Sequence, residues 1–276
     1  MRPPHSLMQL LPDISQRPSS AEPSVGGNTP GRESLAAVDA LLLGRTVAGR
    51  YRLISRLGGG SSALGSAVYL ARHVVIDRLS AIKVLTAEIS TERQGDIEGL
   101  RASFLRQARA VNRINHPNLV EISDYGETSV NREDGSWVTL PFLVMEYVPG
   151  DPLRRLIDRK PLRIERVVSI AVQLASALAR AHQTGVIHRD VRADNVLVLA
   201  QKGGQDIIKL TDFGLSRIVQ RHAPDSEGGV DRHFGRVGYV PPDVLLGATN
   251  FEPRGDLWCL GVLMYEALTG RHPFEG

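Results

Sequence analysis

The stretch from His188 to Asn195 carries the residue types best suited to chemistry. Asp190 is followed five residues later by Asn195. An aspartate can accept a proton from an attacking hydroxyl, and the side-chain oxygen of an asparagine can bind a metal ion. The stretch separates an apolar helical run from the strand-like Val196-Leu197-Val198-Leu199, so we expect a loop held between two packed elements. Taken alone, the same residues are about as consistent with a capped polar turn.

A second aspartate and a lysine could complete such a site. Asp212 ends a strand-like run beside a glycine, which is a natural position for a metal ligand. Lys83 lies within the apolar run Ser80 to Leu85. A lysine in such a strand usually lies on a solvated face, but this one is a single hairpin away from a glycine-rich segment and could reach a phosphate. The sequence thus offers two metal-capable positions, Asn195 and Asp212, and one candidate base, Asp190.

The glycine-rich segment begins at Gly58 and separates two predicted strands, Tyr51 to Leu57 and Ala67 to His73. Glycines have no Cβ and tolerate positive φ, so their backbone N–H groups can approach a phosphate closely. Most glycine-rich hairpins bind nothing. The segment alone therefore leaves nucleotide binding and a plain hairpin both open.

Composition excludes several classes of protein. The 276 residues are 42% hydrophobic and 23% charged, which is typical of a globular protein, and a net charge of +3 without a basic cluster argues against nucleic-acid binding. The single cysteine, Cys259, cannot form an internal disulfide and favours a cytoplasmic setting. No stretch is long and apolar enough for a membrane segment, and no secretory signal is visible. Nothing in the composition indicates the oligomeric state.

The elements that must position these groups fall into three parts. Residues 1–45 are rich in Pro, Ser and Gly and are expected to be a mostly disordered leader, with one short helix conceivable from Leu35 to Leu43. Residues 46–148 read as five strands and one helix, which form a small antiparallel lobe. A hinge at Pro149-Gly150-Asp151 introduces residues 149–276, which are mainly helical and include a long amphipathic run from Ile164 to Thr184.

Six short motifs occur in order along the chain. They are Gly58-x-Gly60, Ala81-Ile82-Lys83, His188-Arg189-Asp190 with Asn195, Asp212-Phe213-Gly214, Gly238-Tyr239-Val240-Pro241-Pro242-Asp243, and Asp256-Leu257-Trp258-x-Leu260-Gly261. In this order and spacing they resemble the bacterial branch of the eukaryotic-like serine/threonine protein kinases, from about Arg50 to the last residue. The resemblance implies an α+β, protein-kinase-like two-lobed fold, with a five-stranded antiparallel N-lobe carrying one helix and a mainly helical, incomplete C-lobe.

The resemblance also implies ATP and Mg²⁺ as cofactors and proteins as substrates, phosphorylated on serine or threonine. Asp190 would accept the hydroxyl proton, Lys83 would hold the α- and β-phosphates, and Arg192 would place a positive charge near the transferred phosphate. Asn195 and Asp212 would bind Mg²⁺. The residues implied around the nucleotide are Gly58, Gly60, Gly65, Val68, Ala81, Lys83, Met145, Glu146, Val148 and Leu197.

Four positions depart from the family pattern. The helix glutamate that normally pairs with the strand lysine is Gln107, which can hydrogen-bond Lys83 but cannot pair its charge. The glycine-rich segment is about three residues longer than usual, so its third glycine is taken as Gly65. The lysine expected two residues after the base is Arg192, and the threonine expected ahead of Gly238-Tyr239 is Arg236.

Activation and chain length also differ from the pattern. Ser226, flanked by Asp225 and Glu227, is the one plausible phosphorylation site in its segment; alternatively, those acids engage Arg189 without modification. The family's later helices, and an arginine that pairs the acid at Asp243, would lie beyond the last residue. Exposed apolar surface is therefore expected on Trp258, Leu260 and Leu263.

Two functions remain from different classes, with a third less favoured. The first is ATP-dependent transfer of phosphate to protein serine or threonine, supported by Lys83, Asp190, Asn195 and Asp212. The second is a pseudokinase that binds nucleotide or acts as a scaffold with little turnover, suggested by the departures from the pattern. The third, a small-molecule phosphotransferase, is disfavoured because the segment at Gly238-Tyr239 resembles a peptide-docking loop.

Overall fold

The computed structural model describes residues 30–59, 66–86, 97–132, 134–200, 205–213, 237–248 and 251–274. A few side chains within these helices and strands, including that of Gln107, are not described. Several predicted positions lie outside the described residues: Gly60, Gly65, Gly214, Ser226 and its two acidic neighbours, and Arg236. The described chain forms a sheet-rich lobe and a mainly helical lobe, joined by a connecting segment at residues 147–150.

An antiparallel sheet forms the frame of the smaller lobe. Its strands are β1 (Thr46–Val47), β2 (Tyr51–Gly59), β3 (Ser66–His73), β4 (Leu79–Leu85), β5 (Ile122–Asn131) and β6 (Trp137–Glu146). Their order across the sheet is β1-β2-β3-β4-β6-β5. The five longer strands agree with the prediction, and the two-residue β1 adds a sixth. The hairpin from β5 to β6 turns at Asp134 and Gly135, as predicted, and Gly135 takes the positive φ of 82° that the turn requires.

The two faces of this sheet have different partners because successive residues of a strand point in opposite directions. In β4, Ile82 and Val84 contribute to an apolar core on one face. Ala81 contributes to a separate cluster on the other face, and Lys83 lines a pocket there together with Met145. The alternation thus separates a structural face from a face turned toward the cleft between the lobes.

Two helices accompany the sheet, whereas only one was predicted to belong to it. The helix α1 (Pro30–Leu42) buries Val38 and Leu42 in the apolar core of the structural face. Helix α1 overlaps the short helix that the sequence allowed from Leu35 to Leu43, while the assignment of residues 1–45 as a leader separate from the lobe stays a prediction. The predicted helix is α2 (Ile97–Val111), and its spacing places Phe104, Ala108 and Val111 in buried positions.

In the residues that the structure describes, the larger lobe contains a small sheet and four α-helices. The strands are β7 (Asp151–Pro152), β8 (Val196–Ala200) and β9 (Asp206–Leu210), hydrogen-bonded in that order. The helices are α3 (Leu153–Arg159), α4 (Ile164–Gln183), α5 (Pro242–Leu245) and α6 (Pro253–Thr269). As predicted, Gly185 terminates helix α4 from just beyond its last turn. Its φ of 76° is the left-handed conformation that favours glycine after a helix.

The core of the larger lobe supports the polar loop that precedes β8. Val191 and Ala193, within that loop, are completely buried in the same cluster as residues of α4 and α6. The loop is therefore held in place by apolar contacts with α4 and α6. None of the described helices is both long and apolar enough to cross a membrane.

The expected exposure near the chain end is wrong for two of three residues. Leu260 and Leu263 are buried in the larger lobe, with exposures of 8% and 1%. Trp258 is partly buried and stacks on Phe274, with ring centroids 5.7 Å apart. The exposed large apolar side chains of α6 are instead Leu257, Tyr265 and Leu268.

The acid at Asp243 also has a partner that the sequence did not indicate. The Nε of Arg254, at the start of α6, lies 3.3 Å from the Oδ2 of Asp243. Both side chains are at least partly exposed, so the pair is a weak link between α5 and α6.

Candidate active site

A buried aspartate anchors the loop that runs from His188 to Asn195. Asp256 of α6 is completely buried; its Oδ2 accepts a hydrogen bond of 2.9 Å from the backbone N–H of His188, and its Oδ1 accepts one of 2.7 Å from that of Arg189. Arg189 has a φ of 68°, which is unfavourable for a residue with a side chain. The two bonds hold this strained backbone in place.

His188 connects the same loop to the strand that leads to Asp212. Its ring is buried, its Nε2 donates to the carbonyl oxygen of Thr211 at 2.9 Å, and its Nδ1 accepts from the backbone N–H of Asp190 at 3.2 Å. Burial lowers the pKa of His188 below its ordinary value, although the charge of Asp256 opposes the shift. The ring is therefore neutral, with its proton on Nε2.

Asp190 and Asn195 form the contact that their spacing suggested. The Nδ2 of Asn195 donates to the backbone oxygen of Asp190 at 2.8 Å and to its Oδ2 at 2.9 Å. Asn195 lies in a single turn of 3-10 helix, Ala193–Asn195, and is 4% exposed, whereas about a third of the Asp190 side chain is exposed. The carboxylate is thus oriented by the amide yet open toward the cleft.

Lys83 and Asp212 meet across the two lobes. The Nζ of Lys83 donates to the Oδ1 of Asp212 at 2.8 Å, and the lysine side chain is 6% exposed. Burial alone would raise the pKa of Asp212, but the charge and hydrogen bond of Lys83 outweigh burial and hold it below its ordinary value. Asp212 is therefore ionised at neutral pH. Its φ of 67° is a second strained backbone position at the site.

The apolar residues predicted to surround a nucleotide base lie together. Ala81, Met145 and Val148 belong to one buried cluster, and Val68 and Leu197 pack against it. The cluster combines β3 and β4 of the smaller lobe, the connecting segment, and β8 of the larger lobe. An apolar cleft of this kind suits a flat aromatic ring. The base-binding roles of these residues stay predictions.

The connecting segment is held by contacts that the sequence did not indicate. The Oε1 of Glu146 lies 2.5 Å from the Nζ of Lys209 and accepts a hydrogen bond of 3.0 Å from the backbone N–H of Glu121. A Cβ added at Gly150 would lie 2.6 Å from the backbone oxygen of Val198 in β8. Glycine is therefore required where the segment crosses β8, and the side chain of Glu146 is engaged by Lys209.

Among the predicted glycines, Gly58 lies within the described residues. It lies in β2, directly after a register shift, and is paired with Val68 of β3. Gly60 and Gly65 lie outside the described residues, so the geometry of the segment around a phosphate stays a prediction. Arg192 is described, and its Nε lies 3.5 Å from the Oδ1 of Asp190 and 3.9 Å from the Oδ2 of Asp194.

The oxygen atoms at the end of the cleft suit a hard divalent cation. Both N–H groups of the Asn195 amide are used by Asp190, and its Oδ1 accepts no hydrogen bond from the described residues. Asp212 is ionised. Its Oδ1 accepts the hydrogen bond from Lys83, whereas its Oδ2 accepts none from the described residues. A free amide oxygen and a free carboxylate oxygen are the ligand types that Mg²⁺ prefers. The residues present therefore fit the implied ion.

Together, the lobes and the cleft define a protein-kinase-like fold. The comparisons agree. Residues 51–276 match the family described as Protein kinase domain. The chain belongs to the protein kinase family.

Curated relatives include bacterial serine/threonine-protein kinases. Pkn1 of Myxococcus xanthus is 36% identical over 227 residues, which cover 82% of this chain and 30% of the relative. PrkC of Bacillus subtilis is 34% identical over 237 residues, which cover 86% of this chain and 33% of the relative. The chain thus spans about a third of the length of these relatives.

A solved structure has the same fold. A mutant of the PknI kinase domain from Mycobacterium tuberculosis superimposes with a TM-score of 0.59 and 29% sequence identity. The superposition covers 84% of this chain and 78% of the PknI chain.

Proposed function

We propose that the chain is a protein serine/threonine kinase, which transfers the γ-phosphate of ATP to serine or threonine hydroxyls of protein substrates with Mg²⁺ as the metal ion. The observation that carries the proposal is the joint presence of the Lys83–Asp212 ion pair and the Asp190–Asn195 hydrogen bonds at the cleft between the lobes. These four groups supply the cation, the metal ligands and the base that phosphoryl transfer requires.

In this proposal each group has one task. Lys83 binds the α- and β-phosphates of ATP, and the apolar cluster around Ala81, Met145 and Leu197 binds adenine. Asp212 and Asn195 would hold Mg²⁺ through the oxygen atoms that their hydrogen bonds leave free, and the ion, when bound, would supply positive charge against the phosphates.

The transfer itself needs a base and correct alignment. The substrate hydroxyl oxygen attacks the γ-phosphorus, the bond to the bridging oxygen of ADP breaks, and the hydroxyl proton passes to a carboxylate oxygen of Asp190. Asn195 orients that carboxylate, and Asp256 fixes the loop that carries it. Little covalent chemistry is asked of the protein, so positioning supplies most of the rate.

The segment that contains Tyr239 and Val240 supports the proposal that the substrates are proteins. Tyr239 and Val240 are buried, and the hydroxyl of Tyr239 donates to the carboxylate of Glu266. Arg154 holds the same carboxylate through two bonds of 2.6 and 2.8 Å. These contacts hold the segment firmly against α3 and α6, and a firmly held segment suits the docking of an extended peptide.

Phosphoamino-acid analysis tests this function. The full chain would be incubated with γ-³²P-labelled ATP, Mg²⁺ and casein, and the labelled protein would be hydrolysed. We expect phosphoserine and phosphothreonine. Label that appears only on tyrosine, or only on a small molecule supplied as competitor, would overturn the proposed substrate class.

A further inference from the structure

The structural face of the small-lobe sheet is covered by α1, which lies outside the residues that match the kinase family. Val38 and Leu42 of α1 share a buried cluster with Tyr69 of β3, Ile82 of β4 and Phe142 of β6. The link from α1 to the sheet is also fixed, because the backbone N–H of Gly44 donates to Leu53 and that of Leu53 donates to Arg45. The helix is therefore an integral part of the lobe.

One carboxylate of α1 lies at the polar centre of this contact. The Oδ1 of Asp39 accepts a hydrogen bond of 2.7 Å from the hydroxyl of Tyr69, and its Oδ2 accepts one of 3.1 Å from Nη1 of Arg56. About a quarter of the Asp39 side chain and a fifth of the Arg56 side chain are exposed. An ion pair that is sheltered to this degree is less screened by salt than one on the open surface.

Arg56 is placed where β2 leads into the glycine-rich segment. It lies directly opposite Tyr69 in the β2–β3 ladder, and the register shifts between Arg56 and Gly58. Across this irregularity the Nε of Arg56 donates to the backbone oxygen of Gly58 at 3.4 Å. A register shift leaves backbone groups unpaired and re-aims the strand. Arg56 thus supports the backbone at Gly58, where the glycine-rich segment begins.

The β2–β3 ladder at Gly58 also borders the cleft between the lobes. Val68, the ladder partner of Gly58, packs against the apolar cluster that includes Ala81 and Met145. A change in the position of the β2–β3 ladder at this point therefore changes the roof of the nucleotide site. A chain of contacts runs from Asp39 through Arg56 to Gly58 and Val68.

We propose that α1 positions the β2–β3 ladder at Gly58 and Val68 for nucleotide binding, with Asp39 and Arg56 as positioning residues. The proposal rests on the nucleotide binding proposed above and extends it to a helix that precedes the kinase domain. Neither residue touches the nucleotide. Their effect is on the affinity for ATP, because they fix the conformation in which the roof of the site binds it.

An isosteric substitution tests this role without unfolding the lobe. Asp39→Asn keeps an oxygen acceptor for the buried Tyr69 hydroxyl but removes the charge that holds Arg56. We expect the Kd for ATP, measured by calorimetry on the full chain with Mg²⁺, to rise about three- to tenfold, the range expected for loss of a charge-assisted bond. The KM for ATP is expected to rise in parallel, while kcat at saturating ATP changes less than about twofold.

A double-mutant cycle separates the pair from a general loss of stability. Arg56→Gln alone is expected to raise the Kd as Asp39→Asn does, and the double variant is expected to be little worse than either single variant. The matched control is Asp77→Asn, which breaks the exposed ion pair of Arg72 and Asp77, 2.8 Å apart on the same sheet but away from the glycine-rich segment. This control is expected to leave the Kd unchanged.

The results of these binding measurements distinguish the positioning role of α1 from the proposed kinase function. A parent chain that binds ATP with an affinity unchanged by Asp39→Asn and Arg56→Gln would overturn the positioning role alone. Additive effects in the double variant, or an equal loss in the Asp77→Asn control, would also overturn it. A parent chain that binds no ATP would overturn the proposed function and the positioning role together.

Discussion

The ammonium of Lys83 lies 2.8 Å from the Oδ1 of Asp212, which is 129 residues further along the chain. The pair joins a strand of the small lobe to the end of a strand in the large lobe. The loop of Asp190 is attached to the same strand end by the hydrogen bond from His188 to Thr211. The relative position of the two lobes is therefore linked to the loop of Asp190 by a partly buried charge pair and one neutral histidine.

Removal of the lysine is expected to disable the cleft. Lys83→Met leaves Asp212 without its cation and removes the group proposed to bind the phosphates, so kcat/KM for ATP is expected to fall at least about 100-fold. The exposed Lys160 provides the control, since Lys160→Met removes the same charge far from the cleft. Steady-state kinetics would contradict the proposed role of Lys83 if both variants lost activity equally.

His188 is expected to make stability depend on pH. Its pKa is lowered by burial, so between the folded-state pKa and the ordinary value near 6.5 the unfolded chain binds more protons. The contribution of the neutral ring is fully present above about pH 6.5 and is lost as the pH falls through the folded-state pKa. Urea unfolding at pH 7.5 and 5.5 would show a larger loss for the parent than for His188→Gln. Equal losses would contradict a neutral buried ring.

The buried carboxylate of Glu266 is expected to depend on Arg154. Glu266 is 2% exposed, and Arg154→Met would remove the two hydrogen bonds that its carboxylate accepts from the guanidinium, which typically costs about 3 kcal/mol or more in the free energy of unfolding. Addition of Glu266→Gln to Arg154→Met is expected to recover part of that loss, because the buried charge is then removed. Urea denaturation measures both.

The neighbouring residue provides the control for this pair. Arg155 makes an ion pair of 2.9 Å with Asp151, but both side chains are at least 40% exposed. Arg155→Met is therefore expected to change the free energy of unfolding by no more than about 0.5 kcal/mol. If the two arginine variants were equally stable, Glu266 would not rely on Arg154.

Local patterns predicted most of the framework. The alternation in β2 to β6, the turn at Asp134-Gly135 and the run that became α4 each depend on residues close in sequence, which is where periodicity and turn chemistry are informative. The motifs placed the catalytic candidates on one loop, within one strand and just after the end of another. The structure brings Lys83 to Asp212 and Asn195 to Asp190, while their chemical roles stay predictions.

Contacts between distant residues were not predictable from such patterns. Helix α6 is apolar around most of its circumference, so no stripe indicated that Leu260 and Leu263 are buried while Leu257 and Leu268 are exposed. The composition of the leader, rich in proline and serine, allowed a short helix but did not indicate that α1 packs on the sheet through two apolar residues and one carboxylate. The anchor of the catalytic loop, Asp256, belongs to a motif, but its hydrogen bonds to a loop 67 and 68 residues away needed the fold.

The most direct test of the central claim is the rate of γ-phosphate transfer by the full chain with ATP and Mg²⁺, compared with Asp190→Asn. The amide that this substitution introduces cannot accept the hydroxyl proton, so kcat is expected to fall at least about 100-fold while the Kd for ATP stays within about threefold of the parent. The exposed aspartate of α3 serves as control, and Asp158→Asn is expected to retain the parent rate. No transfer by the parent, or equal rates for the parent and Asp190→Asn, would contradict the account and leave a kinase fold that binds nucleotide without catalysis.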